Sequence, residues 1–473
     1  MNFRNISAWS IRNPVVPLVL FFGLLLAGLV SFSRLDVNNN PDIDFPAVQV
    51  SIVQPGAAPT EIETQITQRV EAAVRSINGV DQINSTSSEG RASIFVQFQI
   101  GTGIDVNDAV AEVKNAVDQT RSELPDGILE PQVSKVEIAS QPIGYYAVEA
   151  SDMTLEQLSW FVDDTVSKRL LGIAGMANVS RSGGVDREIR VILNPARMQA
   201  LGVTAAQINN ALRSVNFNAA GGQAEIAGSR QSVRVLGNAD TALALSQTRI
   251  GLGNGRTIAL QDVAHVSDGY GEQNSIAKVD GKQVVIFSMQ RAKGASDVTV
   301  YDEAVATLDK LEAENPGVTF RSLGTSVDYT RSQYHSSIEA MIEGAVLAVI
   351  VVFLFLRDWR STIISAIAIP LSAIPTFWFM DLMGFSLNGL SLLALGLVAG
   401  VLVDDAIVEI ENIVRHMRMG KSAYQASIDA ADEIGLAVVA TTMSIVAVFL
   451  PVALMPGISG QFFKSFGFTV VAA

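Results

Sequence analysis

Two adjacent aspartates interrupt an apolar stretch of this sequence, and their position suits proton chemistry. Asp404 and Asp405 follow the segment Leu387–Val403, in which no residue is charged. The next basic residue, Arg415, lies ten positions beyond Asp405, which is about 15 Å along a helix at ~1.5 Å per residue. That distance is about half of a ~30 Å hydrocarbon core, so the sequence predicts both carboxylates near the bilayer midplane.

Carboxylates at that depth are expected to have a function, because a charge there costs at least ~2.5 kcal/mol. Two neighbouring carboxylates in a low dielectric cannot both ionise easily. We expect the pair to take up a proton on one side of the membrane and release it on the other, powered by the proton-motive force without a cofactor. A soluble helix, or a pair that reaches the interface, is disfavoured by the depth and by the short aspartate side chain. No Lys or Arg lies inside an apolar run, so a cationic partner would have to come from elsewhere.

Three glutamates could extend a proton path. Glu409 and Glu411 lie one to two turns after the aspartates, and Glu409 shares a helix face with Asp405 at a spacing of i, i+4. Glu409 could equally be a near-interface carboxylate that faces the basic cluster beginning at Arg415. Glu343, in the first turns of another apolar segment, could carry protons or simply favour the helix dipole.

Two glycines precede the aspartates with a spacing that favours helix packing. Gly396 and Gly400 form a small-xxx-small pattern. Such a pattern lets a second helix approach closely. The sequence therefore predicts a packing surface on the helix that carries the aspartates.

The composition limits the classes of protein to consider. Of 473 residues, 49% are hydrophobic and 17% are charged, which indicates membrane helices joined to a sizeable soluble region. The net charge of −14 argues against nucleic acid as a partner, since phosphate binding needs a basic surface. The chain has no cysteine, and its three histidines are far apart in sequence, so no metal site is predicted.

The apolar segments predict a membrane part. Pro14–Phe32 is long enough to span a bilayer, and no A-x-A site follows it, which favours an uncleaved helix over a signal peptide. Four more apolar runs follow the soluble region: Ile338–Leu356, Thr362–Met383, Leu387–Ile413 and Ile434–Met455. The final "SFGFTVVAA" is typical of the opening of another helix. Because the sequence ends where that helix should continue, we expect a fragment.

The basic residues predict the orientation in the membrane. Arg4 and Arg12 precede the first apolar segment, Arg357 and Arg360 lie in the turn after the second, and a basic cluster follows the fourth. Basic residues accumulate on the cytoplasmic side. We therefore expect a multi-pass protein of the bacterial inner membrane, with a cytoplasmic N-terminus and a large periplasmic domain.

The soluble region alternates strand and helix patterns, which predicts an α+β domain beside the α-helical membrane domain. Residues 47–138 follow the order β-α-β-β-α-β of a ferredoxin-like unit. The same order begins again at "IGYYAVEA" and is completed only after "QVVIFSMQRA", which indicates a second unit with a subdomain inserted between its halves. In that insert, the Gly/Ala-rich loop Asn216–Gly228 is either a flexible tip or an arm that grips a neighbouring subunit.

These patterns give five predicted regions. They are 1–33 for the N-terminal segment and first membrane helix, 34–131 for the first α+β unit, 132–180 with 270–327 for the split second unit, 181–269 for the insert, and 336–473 for membrane helices 2–5 and the start of helix 6.

Several segments together resemble the resistance–nodulation–division (RND) transporters. They are "GLVAGVLVDDAIVEIENIVRHM" at Gly396–Met417, the turn "FLFLRDWRST", the segment "NPDIDFPAVQVSIVQPGAAPTEIE" and the long soluble region after one helix. The likeness covers the whole chain and is nearest to the hydrophobe/amphiphile efflux branch, similar to AcrB. It implies a secondary transporter, not an enzyme, that exports amphiphilic or drug-like small molecules by proton antiport. Glu409 departs from the commoner family motif "AIVVVEN", which has an apolar residue there.

The resemblance also implies an architecture and partners. Family members have two homologous halves, and this chain would be the first, without the membrane lysine that the second half sets opposite the aspartates. They are homotrimers in membrane lipid, joined to a periplasmic adaptor protein and an outer-membrane channel. The two ferredoxin-like units would be porter subdomains, and the insert would be a docking subdomain. Its intersubunit loop would contain Asn216, Phe217, Asn218, Gly221 and Gly222.

Two other functions compete with transport. A non-transporting membrane protein of the same superfamily, which assists export or senses lipid, would use similar helices. A membrane enzyme with two catalytic carboxylates is disfavoured, because both would lie at bilayer depth without a cofactor motif.

Overall fold

The computed structural model describes residues 6–43, 46–100, 105–136, 141–215, 219–226, 229–235, 239, 241–251, 257–271, 273 and 275–473. The chain begins with a short helix α1 (Ile6–Arg12) and the membrane-length helix α2 (Val15–Phe32). Most side chains of α2 are exposed although they are apolar, which is the pattern of a helix that faces lipid. This agrees with the first membrane helix predicted from Pro14.

The first α+β unit follows α2. Its elements are β1 (Ala47–Val53), α3 (Pro59–Ile62), a π-helical turn (Glu63–Thr67), α4 (Gln68–Arg75), β2 (Val80–Ser88), β3 (Arg91–Phe98), α5 (Val106–Thr120), a 3₁₀ turn (Arg121–Glu123) and β4 (Gln132–Lys135). The antiparallel sheet has the order β2-β3-β1-β4. Alternate residues of β1, namely Val48, Val50 and Ile52, are fully buried against the helices.

One predicted boundary is wrong. Strand β4 pairs with β1, from Val48 opposite Lys135 to Ser51 opposite Gln132. The backbone ladder therefore places β4 in the first unit, whereas a boundary after residue 131 would assign it to the second.

The first half of the second unit repeats this arrangement. Its elements are β5 (Pro142–Ala150), α6 (Leu155–Phe161), a π-helical turn (Val162–Val166), α7 (Ser167–Leu171) and β6 (Met176–Ser182). In both units the helix between the first two strands contains one π-helical turn.

The insert is a separate small domain. Its elements are β7 (Arg187–Leu193), α8 (Pro195–Leu201), α9 (Ala205–Val215), β8 (Ala219–Ile226), β9 (Ser229–Val235), α10 (Ala242–Ser246), β10 (Arg249–Gly251), β11 (Thr257–Ala259), α11 (Leu260–Val263) and β12 (Ala264–Tyr270). Strand β12 returns antiparallel to β7, so both ends of the insert lie together. A core that includes Ile208, Ile250 and Leu260 packs beneath this pair.

The Gly/Ala-rich segment of the insert is not simply a loop. Strands β8 and β9 pair as an antiparallel hairpin. Gly221 and Gly222 lie at a register shift between Ala220 and Gln223, where an extra residue on one strand suits glycine. The prediction of a loop is wrong over these residues, while Asn216–Asn218 lie outside the described part of the chain.

The second half of the split unit completes its sheet. Its elements are β13 (Ala277–Val279), β14 (Lys282–Arg291), α12 (Asp297–Glu314) and β15 (Val318–Thr325). The sheet has the order β13-β14-β5-β15. Strand β6 pairs with β14 along the edge that faces away from β5. Without the short β13, the order β6-β14-β5-β15 is that of the first unit. The two halves share one core, in which the Tyr146 and Tyr301 hydroxyls are hydrogen-bonded at 3.0 Å.

Five more helices form the rest of the membrane part. They are α13 (Val327–Leu356), α14 (Trp359–Leu382), α15 (Gly389–Arg418), α16 (Ala423–Ala453) and α17 (Gly457–Ala472). Helices α2 and α13–α16 are long and apolar enough to cross a membrane. Several extend beyond the predicted apolar runs, because a helix can continue with polar residues outside the bilayer; α13, for example, begins well before Ile338.

Close packing of membrane helices occurs at Gly28 rather than at the predicted glycines. A Cβ atom at Gly28 would lie 2.1 Å from the Ile374 carbonyl oxygen, so α2 contacts α14 through bare backbone. At Gly396 and Gly400, an added Cβ would meet no described atom within 4 Å, and both residues are exposed. The predicted packing contact is therefore not made by the described helices of this chain.

Candidate functional site

Helix α15 holds both aspartates near the middle of its 30 residues. Its first turn is capped by Asn388, whose side-chain oxygen accepts hydrogen bonds from the amides of Leu390 (3.0 Å) and Ser391 (3.1 Å). Its last turn is rich in basic residues, which suit the negative end of the helix dipole. The cap and the basic end together define a helix whose centre carries the acids.

The two carboxylates face different surroundings. Asp404 is exposed on the surface of α15, whereas Asp405 is half-buried. Consecutive residues of an α-helix point about 100° apart, so the two side chains leave α15 in different directions. The structure brings Asp405 to the neighbouring helices and leaves Asp404 facing outward.

Asp405 lines a cavity of about 460 Å³ between α14, α15, α16 and α17. Most of the lining is apolar. Its polar residues are Ser372 on α14, Asp405 and Glu409 on α15, and Thr442 on α16. The cavity therefore gathers a carboxylate, a second carboxylate one turn away and two hydroxyl groups.

A threonine on α16 holds the Asp405 carboxylate. The Thr442 hydroxyl donates to Asp405 Oδ2 at 3.4 Å, and Thr441 lies 3.5 Å from Oδ1. Thr441 also donates to the Val438 carbonyl oxygen at 2.8 Å. Because a hydroxyl has one hydrogen to donate, the shorter bond occupies Thr441, and Thr442 is the donor to Asp405.

Two residues of the basic cluster at the end of α15 are already paired with α16. Arg415 binds Glu433 of α16 at 2.5 Å, and His416 Nε2 lies 2.7 Å from the other oxygen of Glu433. Within the described ranges, Asp404, Asp405 and Glu409 form no ion pair. The interpretation of Glu409 as a partner of this cluster is therefore not supported by the contacts seen.

The three additional glutamates are not equivalent. Glu409 is half-buried and lines the cavity that contains Asp405. It also lines a second cavity of about 310 Å³, which reaches Ile11 of α1 and Ser427 in the first turns of α16. Glu343 and Glu411 are exposed on α13 and α15. Of the three, the structure brings Glu409 alone to the Asp405 cavity.

The soluble region contains a cleft that the sequence patterns do not predict. It has a volume of about 780 Å³ and lies between α6 of the second unit and strands β7 and β12 of the insert. Trp160 and Tyr270 line it and are 57% and 49% exposed. Asp152 and Glu156 add negative charge to the same wall. The tryptophan on the solvent-facing side of "TLEQLSWF" is a sequence signal for this cleft. The strands that complete the cleft come from the insert, which is distant in sequence.

Metal ligation finds no support in the part of the chain that the structure describes, where no group of three or more His, Cys, Asp or Glu could hold an ion.

The sequence matches the AcrB/AcrD/AcrF family over residues 6–473. The chain belongs to this family. Its RND resemblance is thereby confirmed, and with five membrane-length helices among the described residues the chain is a multi-pass membrane protein.

Curated members of the AcrB/AcrD/AcrF family are similar along nearly the whole chain. The multidrug resistance protein MdtC of Pectobacterium atrosepticum is 32% identical over 468 residues, which cover 98% of this chain and 45% of the relative. MdtC of Yersinia enterocolitica is 33% identical over 476 residues, with 98% and 46% covered. The chain thus spans about half the length of the curated relatives it matches.

Proposed function

We propose that this chain is part of an inner-membrane efflux transporter that exports amphiphilic or drug-like small molecules in exchange for protons. The observation that carries the proposal is the half-buried Asp405 carboxylate in a cavity at the centre of a membrane-length helix. Membership of the AcrB/AcrD/AcrF family and similarity to proteins named for multidrug resistance support it.

Asp404 and Asp405 form the proton relay of the proposed mechanism. Ionised Asp405 accepts the Thr442 hydrogen bond and holds α15 against α16. Protonation removes the charge and weakens this bond, since hydrogen bonds to ions are stronger than those to neutral groups. Helix α15 then shifts relative to α16, and the shift is passed to the soluble domain. Each proton that moves down a potential of ~100 mV supplies about 2.3 kcal/mol.

Protons reach or leave Asp405 through neighbouring carboxylates in this proposal. Glu409 is the favoured member of the path, because it borders both cavities beside α15. Exposed Glu411 and Glu343 would act only where the protein meets water.

The soluble region works as the proposed periplasmic porter. The sheet orders β2-β3-β1-β4 and β6-β14-β5-β15 support two ferredoxin-like porter subdomains. The insert is the docking subdomain, and its β8–β9 hairpin with the preceding Asn216–Asn218 forms the intersubunit arm of a homotrimer. A periplasmic adaptor and an outer-membrane channel complete the export route, while the N-terminus lies in the cytoplasm.

The cleft beside Trp160 supports amphiphilic cargo. Exposed aromatic rings bind apolar groups and organic cations, and nearby carboxylates favour a positive charge. Its volume of about 780 Å³ lies in the range of small-molecule sites, roughly 300–1,000 Å³.

Accumulation of a fluorescent amphiphilic dye in cells tests the proposed function. Cells that produce the complete protein with Asp405→Asn should retain the dye, whereas cells with the wild-type protein should expel it. Asp328→Asn, at an exposed position in the first turn of α13, is the charge-matched control and should expel the dye normally. Equal dye levels with and without Asp405 would favour the non-transporting alternative.

A further inference from the structure

The segment Asp36–Asp42, which we name the strap, follows the first membrane helix and binds the start of the aspartate helix. The amide of Asn38 donates to the Leu387 carbonyl oxygen at 3.1 Å, and the amide of Leu387 donates to the Asp36 carbonyl oxygen at 2.8 Å. Val37 and Leu387 thereby form a parallel β-bridge. Leu387 immediately precedes the residue that caps α15, so a movement of α15 along its axis acts directly on the strap.

The other side of the strap binds the second α+β unit. Asp42 accepts hydrogen bonds from Arg291 Nη2 and from the Gly294 amide, both at 2.8 Å. Arg291 is the last residue of β14, the strand that pairs with β5, β6 and β13. This ion pair therefore fastens the strap to a central strand of the second sheet.

A second set of contacts joins the strap to α12. The Asn38 side-chain oxygen accepts a hydrogen bond from the Asp297 amide at 2.9 Å, and the Asn39 amide donates to Asp297 Oδ2 at 2.9 Å. The other Asp297 oxygen accepts from Arg291 Nε. Arg291 thus holds one carboxylate from the strap and one from the first turn of α12.

Burial makes this joint rigid. Arg291 is 5% exposed and Asn38 is 3% exposed. A buried, multiply bonded ion pair has one favoured geometry, because any displacement leaves charges without partners in a low dielectric. Solvent-exposed pairs on the same sheet, such as Arg321 with Asp280, lack this constraint.

We propose that Arg291 is a positioning residue of the transport cycle, which locks the strap to β14 and α12 so that movement of α15 is passed to the second α+β unit. This rests on the proposed function. The path runs from Asp405 along α15 to Leu387, across the β-bridge to the strap, and through Arg291 into β14. Helix α13, which follows β15, also packs against α15, whereas the strap joins the start of α15 through backbone hydrogen bonds.

Proteoliposomes with the complete protein test this proposal by measuring proton influx and dye transport in the same vesicles. In Arg291→Met we expect dye transport to fall at least tenfold while proton influx stays within about twofold of wild type, so that the two fluxes separate. Arg291→Lys keeps the charge and should restore part of the dye transport. Arg321→Met, which breaks the exposed pair, is the matched control and should change neither flux.

The opposing outcomes are distinct. Normal dye transport in folded Arg291→Met, or a parallel loss of both fluxes, would overturn the positioning role. If the wild-type protein itself shows no dye transport coupled to proton influx, the proposed function is contradicted instead.

A second measurement decides the matter if Arg291→Met fails to fold. These 473 residues contain no cysteine, so Val37→Cys with Leu387→Cys gives a single cross-linking pair within them. Because the strap and α15 are proposed to move together, joining them should leave dye transport within about twofold of the reduced protein. Loss of transport on cross-linking, with recovery on reduction, would contradict the proposal.

Discussion

Thr442 donates a hydrogen bond of 3.4 Å to Asp405, and this bond joins α16 to the centre of α15. The carboxylate lies in a cavity with mostly apolar walls, so few other groups can stabilise its charge. In the proposed mechanism, loss of the charge on Asp405 weakens this contact between two membrane helices.

Replacement of Thr442 by valine should impair transport. A hydrogen bond to a charged group contributes about 1.5–3 kcal/mol, and this long bond belongs at the lower end. We expect Thr442→Val to slow dye transport about tenfold, which corresponds to ~1.4 kcal/mol. Thr441→Val is the control, because the Thr441 hydroxyl is engaged with Val438, and it should retain transport. Equal losses in the two variants would contradict the assignment of Thr442 as the donor.

Glu409 should be needed for fast proton exchange. Glu409→Gln keeps the size of the side chain but removes its proton exchange, so Asp405 would lose the carboxylate that borders both cavities. We expect proton influx and dye transport to fall together by roughly tenfold, or ~1.4 kcal/mol in the barrier. Stopped-flow proton uptake measures this rate. Glu411→Gln, at an exposed position on the same helix, should have little effect, and an equal loss there would remove the special role of Glu409.

Gly28 should be intolerant of any side chain. A Cβ at this position would collide with the backbone of Ile374, so α2 and α14 must separate in Gly28→Ala. Overpacking of this kind costs about 1–3 kcal/mol, and we expect a lower Tm in detergent. Gly23→Ala lies on the same helix, where an added Cβ meets no described atom within 4 Å. An unchanged Tm in Gly28→Ala would show that the helices are not in close contact there.

Asp36 should make the strap less stable as the pH rises. Burial raises the pKa of Asp36 above its usual value of 3.8, with Arg291 opposing the shift and Asp42 adding to it. The folded state then binds the proton more tightly than the unfolded state, so its stabilisation is complete below the unfolded pKa and is lost as pH rises through the folded pKa. Asp36→Asn should therefore raise the Tm at pH 7 and lose this advantage near pH 3.

The same pH series contains its own control. Asp81→Asn changes an exposed carboxylate on β2 and should shift the Tm little at either pH. A pH-independent gain in Asp36→Asn would indicate that burial of the charge is not its cause.

The parts of this molecule that depend on local pattern could be predicted from the sequence. Hydropathy located the membrane helices, and strand and helix periods located both α+β units, because a buried face imposes its period on the residues that form it. The rise per residue of a helix places Asp405 near the bilayer midplane, and this depth stays a prediction.

Long-range relationships could not be predicted in this way. Whether Asp404 faces outward depends on which helices surround α15. The arrangement of these helices also decides whether Gly396 and Gly400 contact a neighbour. The strap joins residues that are far apart in sequence, such as Asp42 and Arg291, and no local pattern marks them as partners. The hairpin in the insert shows a further limit, because glycines that favour loops also suit an irregular strand pair.

Dye transport driven by an imposed pH gradient in proteoliposomes tests the central claim most directly. The complete protein with Asp405→Asn should lose transport by at least about 100-fold, or ~2.7 kcal/mol, while Asp328→Asn should transport at the wild-type rate. Undiminished gradient-driven transport by folded Asp405→Asn protein would contradict a proton relay at Asp405.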